Sequence, residues 1–244
     1  MISEGNTGKY LKYALGEIVL VVIGILIALQ INNWNEQRKT DIKEQILLRS
    51  LRQEFIHNRE ELNTVIEITR NNIKGAGEFA SILSPEETNL SDAEIATYWN
   101  NALRREAIYR PGLGVLNEAI NSGNLSVIKN SELRNILFSF DAELQQLRKQ
   151  EEVVFDVRMK CYDILSNYGS FRKLLDNIMD TASWYSNPSS AFENSNTSIL
   201  QSEKFENDLV FFIAASKYFE NNFLIPLEQR IGDCIKILDA EIKD

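Results

Sequence analysis

The side chains that most often carry catalysis or bind metal ions are few in this sequence. Its 244 residues include one histidine, His57, and two cysteines, Cys161 and Cys234. A histidine-based metal cluster, a zinc finger and a CxxC redox motif all need more of these side chains or closer spacing. The acidic pair at 151–152 has the spacing of a water-facing helix flank and does not indicate a paired-carboxylate active site. We therefore expect no catalytic residues, no metal site and no cofactor, and predict that the protein is not an enzyme.

The cysteines and the histidine have simpler structural interpretations. Cys161 and Cys234 fall on apolar stripes of predicted helices, which favours buried free thiols that pack as small hydrophobic side chains. A disulfide is the alternative, but an antiparallel pairing of these helices would separate the two thiols by about 36 Å along the axis. His57 lies off the neighbouring apolar stripe, so we expect it to face water.

Glu17 is the one charged side chain in an otherwise apolar N-terminal stretch. Residues 18–29 read IVLVVIGILIAL, and residues 13–34 would span about 31 Å as a helix, close to the hydrocarbon thickness of a bilayer. An acid within a membrane span is often functional. At 100° per residue, Glu17 shares one helix face with four other residues. This candidate helix-contact face consists of Tyr13, Glu17, Gly24, Ala28 and Asn35.

The small residues of this face predict contact with another helix. Gly24 and Ala28 form a small-xxx-small pair, which lets two helices approach closely. We predict association with a second copy of the chain or with another membrane helix. Two alternatives stay open for Glu17: its carboxylate reaches the lipid headgroups or bonds a neighbouring tyrosine, or it handles protons or ions.

Two amides and an indole follow the apolar run. Gln30, Asn33 and Trp34 lie where a membrane boundary would place them, and tryptophan is enriched at such boundaries. We predict that these residues form an interfacial anchor, with ordinary solvation at the membrane surface as the alternative.

The apolar run itself has three interpretations: an uncleaved membrane anchor, a cleaved signal peptide or a buried core helix. No small-x-small cleavage site follows it, since Ala28 is succeeded by LQINNWNEQRK. Its fully apolar part is short enough for a core helix. We favour the anchor, and predict an N-terminal tail at 1–12, a transmembrane helix at 13–34 and a soluble domain at 35–244.

The remaining sequence has the apolar periodicity of long helices, so the predicted fold class is all-α. Ser91 and Glu94 form a capping box, Gly75 and Ser84-Pro85 mark a helix end, and Pro226 predicts a kink. Residues 181–202 are predicted to form a polar loop. Because three helices have matched lengths, we expect one transmembrane helix continuous with an elongated antiparallel bundle. The predicted helices are residues 35–74, 92–103, 111–121, 131–168 and 203–243.

Charge restricts the partners. The net charge of −9 argues against nucleic acid, which would need a basic face. Arg104, Arg105 and Arg110 form a small basic cluster that would suit an acidic partner, but in so acidic a bundle we favour internal charge pairing.

Two stretches carry a family resemblance. Residues 8–38, GKYLKYALGEIVLVVIGILIALQINNWNEQR, and residues 116–137, LNEAINSGNLSVIKNSELRNIL, resemble an uncharacterised family of single-span flavobacterial membrane proteins, a domain of unknown function. The resemblance implies a bacterial inner-membrane location, a cytoplasmic N-terminus and a periplasmic C-terminal domain. The first eight residues, MISEGNTG, depart from the basic leader that such proteins often have.

These observations favour a membrane-anchored helical module for interaction, scaffolding or sensing. The expected partners are the lipid bilayer and a second copy or another membrane helix, with no small-molecule substrate. The alternative is an accessory subunit of a membrane transport or energy-coupling complex that uses the face around Glu17.

Overall fold

The computed structural model describes residues 7–179 and 195–243 and, between them, positions 181, 184, 190 and 192. Side chains are described from residue 12 onward. Every regular element in these parts of the chain is helical, and a long apolar N-terminal helix leads into a helical bundle, which confirms the predicted fold class.

Helix α1, Thr7–Ala80, is a single helix of 74 residues, about 110 Å long. No proline interrupts it, and a buried stripe that includes Leu51, Phe55 and Leu62 joins its C-terminal half to the bundle. The predicted break at Gly75 was wrong. A Cβ atom at this position would lie 2.5 Å from the carbonyl oxygen of Asn101, so the glycine permits a close helix crossing rather than ending the helix.

Two short helices follow. The capping box at the start of α2, Asp92–Leu103, is confirmed, since Ser91 and Glu94 each accept a hydrogen bond from the other's backbone N–H. Helix α3, Gly114–Asn121, begins three residues after Pro111, the first residue of the predicted helix 111–121. Pro111 instead belongs to the irregular segment between α2 and α3, and α3 is followed by a 3-10 turn at Asn124–Val127.

The C-terminal half contains the second and third long helices. Pro226 interrupts the predicted helix 203–243 through a five-residue π-helical turn at Glu220–Leu224 immediately before it, because proline cannot donate a backbone hydrogen bond. Of the 22 residues of the predicted loop 181–202, ten lie outside the described residues, and Thr197–Leu200, near its C-terminal end, form a helical turn instead. The remaining helices are α4 (Ser131–Tyr168), α5 (Phe171–Ile178), α6 (Thr197–Leu200), α7 (Glu203–Phe219) and α8 (Ile225–Glu241).

The bundle has an up-down-up-down order. Helix α1 runs up, and the chain from α2 to the 3-10 turn runs back down beside it. Helix α4 then runs up, and α7 and α8 run down. The C-terminal end of α8 consequently lies beside the first bundle turn of α1, where Gln45 donates to the carbonyl oxygen of Glu241 at 3.0 Å. One hydrophobic cluster fills the end near the apolar segment around Phe55 and Phe140, and a second fills the far end around Trp99 and Phe205.

Candidate functional site

The apolar part of α1 projects out of the bundle. Every residue from 12 to 39 is exposed, so this segment is not a core helix of the bundle. Among the described residues, α1 is the one helix long and apolar enough to cross a membrane, judged by length and composition. Its most apolar 18-residue window has a mean hydropathy of 2.6, and none of that window is buried.

The candidate helix-contact face lies on this projecting part. Tyr13, Glu17, Gly24, Ala28 and Asn35 are all exposed, and a Cβ atom added at Gly24 would meet nothing within 4 Å. The face is therefore open to a partner, and its contacts stay a prediction. Helix α1 continues through position 34 with no break and no change in exposure. Its structure therefore does not mark the predicted boundary between membrane helix and soluble domain.

Two isoleucines extend this face into the bundle, which sequence inspection missed. Ile42 and Ile46 are 51% and 59% exposed, and at 100° per residue both lie within about 20° of Glu17 around the helix axis. Their i, i+4 spacing could have indicated a second apolar face. It was not recognised because the buried stripe of the same helix also consists of apolar residues at helical spacing.

The predicted interfacial residues lie just before the bundle begins. Gln30, Asn33 and Trp34 are exposed, and the Trp34 side chain is 66% exposed. The first described hydrogen bond between α1 and another part of the chain is at Asp41, which accepts from Lys129 Nζ at 2.7 Å. About 10 Å of unaccompanied helix therefore separates Trp34 from the bundle.

The irregular segment between α2 and α3, residues 104–113, is held by polar side chains of α1. Asn58 is fully buried, and its amide pairs with both the N–H and the carbonyl of Gly112 at 2.8 Å. The Glu54 carboxylate accepts from the backbone N–H of Val115 and Leu116 at 2.7 and 3.0 Å, at the start of α3. These contacts satisfy backbone groups that have no partner in a helix or sheet.

Helix α4 holds the same segment from the other side. Glu151 is only 8% exposed, so the prediction that its acidic pair faces water was wrong for this residue. Its carboxylate accepts from the backbone N–H of Tyr109 at 2.8 Å and from Arg148 at 2.7 Å, while Arg148 also donates to the Tyr109 carbonyl. Burial raises the pKa of the Tyr109 hydroxyl, which donates to the Asn58 carbonyl. These polar groups therefore have structural partners.

The basic cluster is not neutralised internally. Arg104, Arg105 and Arg110 are exposed and form no ion pair within the described parts of the chain, so the favoured internal pairing was wrong. Glu106, the carboxylate next to the cluster, binds the buried Arg158 at 2.9 Å instead.

Two of these arginines line a polar cavity of about 610 Å³ where α1 crosses α2, which we call the α1–α2 groove. Its walls also carry Lys74, Glu78 and four asparagine side chains, and Gly75 lies at the crossing. The groove joins residues that are about 30 positions apart in sequence, which is why sequence inspection did not find it.

The two cysteines and the histidine lie where the sequence predicts them. Cys161 and Cys234 are buried free thiols in different hydrophobic clusters, as predicted, and burial raises the pKa of each to about 12. His57 is exposed. Within the described residues, no three His, Cys, Asp or Glu side chains are grouped to hold a metal ion.

Comparison with known proteins supports one part of the resemblance seen in the sequence, a family of unknown function. No curated protein and no solved structure matches the chain. One family model matches residues 17–175, from the apolar segment through α4 and into α5. The chain therefore belongs to the Family of unknown function (DUF6090).

Proposed function

We propose that this protein is a non-enzymatic interaction module anchored to a membrane by the N-terminal part of α1. The observation that carries the proposal is the continuity of α1, whose fully exposed apolar segment passes without interruption into the packed bundle. In water, so large an exposed apolar surface would be unfavourable, and a bilayer removes that cost. The single helix then holds the bundle at a fixed distance from the lipid.

The bundle is proposed to lie on the periplasmic side of a bacterial inner membrane. The sequence resemblance supports this orientation and the flavobacterial origin, while Lys12 and the cations after Trp34 do not decide between the two sides. Protease added to spheroplasts should therefore cleave the bundle while a cytoplasmic marker protein stays intact. Protection of the bundle until the inner membrane is lysed would reverse the orientation.

The membrane anchor is tested by charging the apolar segment. We expect the full chain to sediment with membranes and to resist alkaline carbonate extraction. Val21→Lys/Ile25→Lys should release it, because each lysine at the centre of a span costs about 2.5–3.5 kcal/mol. The matched control is Val210→Lys/Phe211→Lys, which charges two residues of similar exposure on the bundle. Equal extraction of both double variants would contradict the anchor.

The non-enzymatic part of the proposal is supported by the roles of the buried polar groups. Glu54, Glu151 and Arg158 each bind backbone groups of residues 103–116, and they hold the irregular segment between α2 and α3 in place. The full chain in detergent should show no turnover in a broad hydrolase screen. Activity that is lost on replacing any of these residues, without loss of folding, would contradict this part of the proposal.

A further inference from the structure

The α1–α2 groove is positively charged in a strongly acidic protein. The whole chain carries −9, whereas the groove brings together Lys74, Arg104 and Arg105 with one carboxylate, Glu78. Three cations against one carboxylate leave a local charge of about +2. The Lys74 ammonium is 3.9 Å from the Glu78 carboxylate and both side chains are largely exposed, so this pair neutralises little.

The cationic groups are partly positioned before any ligand arrives. Arg104 Nη1 donates to Oδ1 of Asn100 at 3.0 Å, and Asn72 Nδ2 donates to the carbonyl oxygen of Arg105 at 2.9 Å. The close crossing at Gly75 fixes the two helices relative to each other. A site that is ordered in advance loses less entropy when it binds.

The C-terminal end of α2 does not repel an anion as strongly as a free helix end would. Exposed carbonyl groups give a helix C-terminus a partial negative charge. Here the guanidinium of Arg158 donates to the carbonyl oxygens of Leu103 and Arg104. Arg158 therefore already compensates the partial negative charge at the C-terminal end of α2. The side chains of Arg104 and Arg105 remain available to an external anion.

The groove lining also selects a hydroxylated ligand. The amides of Asn71 and Asn101 have no hydrogen-bond partner in the described parts of the chain. An amide both donates and accepts, which matches sugar hydroxyl groups. The volume of about 610 Å³ lies in the range of small-molecule sites.

The position of the groove excludes the lipid headgroups of the same membrane as its ligand. Asn71 lies 37 residues beyond Trp34 on the uninterrupted helix α1, a distance of about 55 Å. This step alone rests on the proposed anchor. We propose that the α1–α2 groove binds a small soluble acid with several hydroxyl groups, of the acidic-sugar or sugar-phosphate class.

Isothermal titration calorimetry on the full chain in detergent tests this proposal with glucuronate, glucose 6-phosphate, glucose and inorganic phosphate. We expect the two charged sugars to bind, and binding to weaken at least tenfold between about 50 and 500 mM salt. Glucose and inorganic phosphate should each bind at least tenfold more weakly than glucose 6-phosphate. Arg104→Gln/Arg105→Gln should abolish binding, and Lys74→Gln, at a highly exposed position, should weaken it severalfold.

The matched control is Arg110→Gln/Lys149→Gln, which removes two exposed cations outside the groove and should leave affinity unchanged. Equal losses in both double variants, or no binding of either charged sugar to the wild type at 10 mM, would overturn the proposal. Inorganic phosphate binding as tightly as glucose 6-phosphate would also overturn it, because the hydroxyl groups would then add nothing. A chain that binds sugars but fails the carbonate extraction test would refute the anchor and leave the groove intact.

Discussion

At the residue scale, the buried and partly buried polar side chains of α1 explain how an irregular segment can pack against the bundle. Glu44, Glu54, Asn58 and Asn72 each accept from or donate to backbone groups of residues 105–129. At 100° per residue the four fall within a sector of about 80° around α1. They supply to an irregular segment the hydrogen bonds that a helix would supply to itself.

Replacing Asn58 with alanine should destabilise the protein by about 1–3 kcal/mol, because the N–H and carbonyl of Gly112 both lose their partner. The control is Asn63→Ala on an exposed position of the same helix, for which we expect a change within about 0.5 kcal/mol. Urea unfolding of the full chain in detergent, followed by circular dichroism, measures both. Equal midpoints for the two variants would contradict the role of Asn58.

The two cysteines should be inert in the folded protein. Burial raises the pKa of Cys161 and Cys234 to about 12, so the reactive thiolate is scarce at pH 8. Since each folded pKa lies above the unfolded value, the thiols contribute stability below about pH 8.5 that is lost as pH rises toward 12. A thiol reagent at pH 8 should label neither cysteine until urea is added. Rapid labelling of the native chain would contradict this.

The sequence predicted the cysteines correctly and Glu151 incorrectly for a common physical reason. An apolar stripe shows directly that a cysteine on it is buried, because burial of the stripe is what the periodicity reports. Glu151 flanks such a stripe, and its burial depends on the Tyr109 backbone 42 positions away. No local pattern contains that contact. The same limit hid the groove, whose residues meet only after α2 crosses α1.

At the element scale, Gly75 and Pro226 show that two residues with low helix propensity can have different effects on a helix. Both were predicted to disturb a helix. Pro226 does so, through the π-helical turn before it. Gly75 does not, because helix propensity alone costs only about 1 kcal/mol, and the packing of α2 against the bare backbone stabilises the helical conformation.

Gly75→Ala should destabilise the protein by about 1–3 kcal/mol, because the new methyl group would lie 2.5 Å from the Asn101 carbonyl oxygen and force α2 away. Gly77→Ala is the matched control, since a Cβ atom there meets nothing within 4 Å. Alanine should stabilise α1 at that position by up to about 1 kcal/mol. Thermal unfolding by circular dichroism should therefore move in opposite directions. A shift in the same direction would contradict the crossing.

At the scale of the whole molecule, the charge is divided between two regions. Residues 1–50 contain six Lys or Arg and five Asp or Glu, a net charge of +1, so residues 51–244 must carry −10 to give −9. Two copies would therefore repel each other through their bundles and not through the N-terminal part of α1. If copies associate, the near-neutral apolar segment and its exposed continuation at Ile42 and Ile46 form the favoured contact.

Gly24→Ile should weaken this association, because the branched side chain prevents the close helix approach that Gly24 and Ala28 permit. Gly16→Ile is the matched control. It adds the same side chain to the same exposed helix, about 100° away from Glu17, and neither glycine has a neighbour within 4 Å. Light scattering of the full chain in detergent should show an oligomer for the wild type and for Gly16→Ile, and a smaller species for Gly24→Ile. An unchanged mass for Gly24→Ile would exclude close packing at Gly24 and Ala28 as the basis of self-association. The variant Ile42→Lys/Ile46→Lys would then show whether the two isoleucines alone support association.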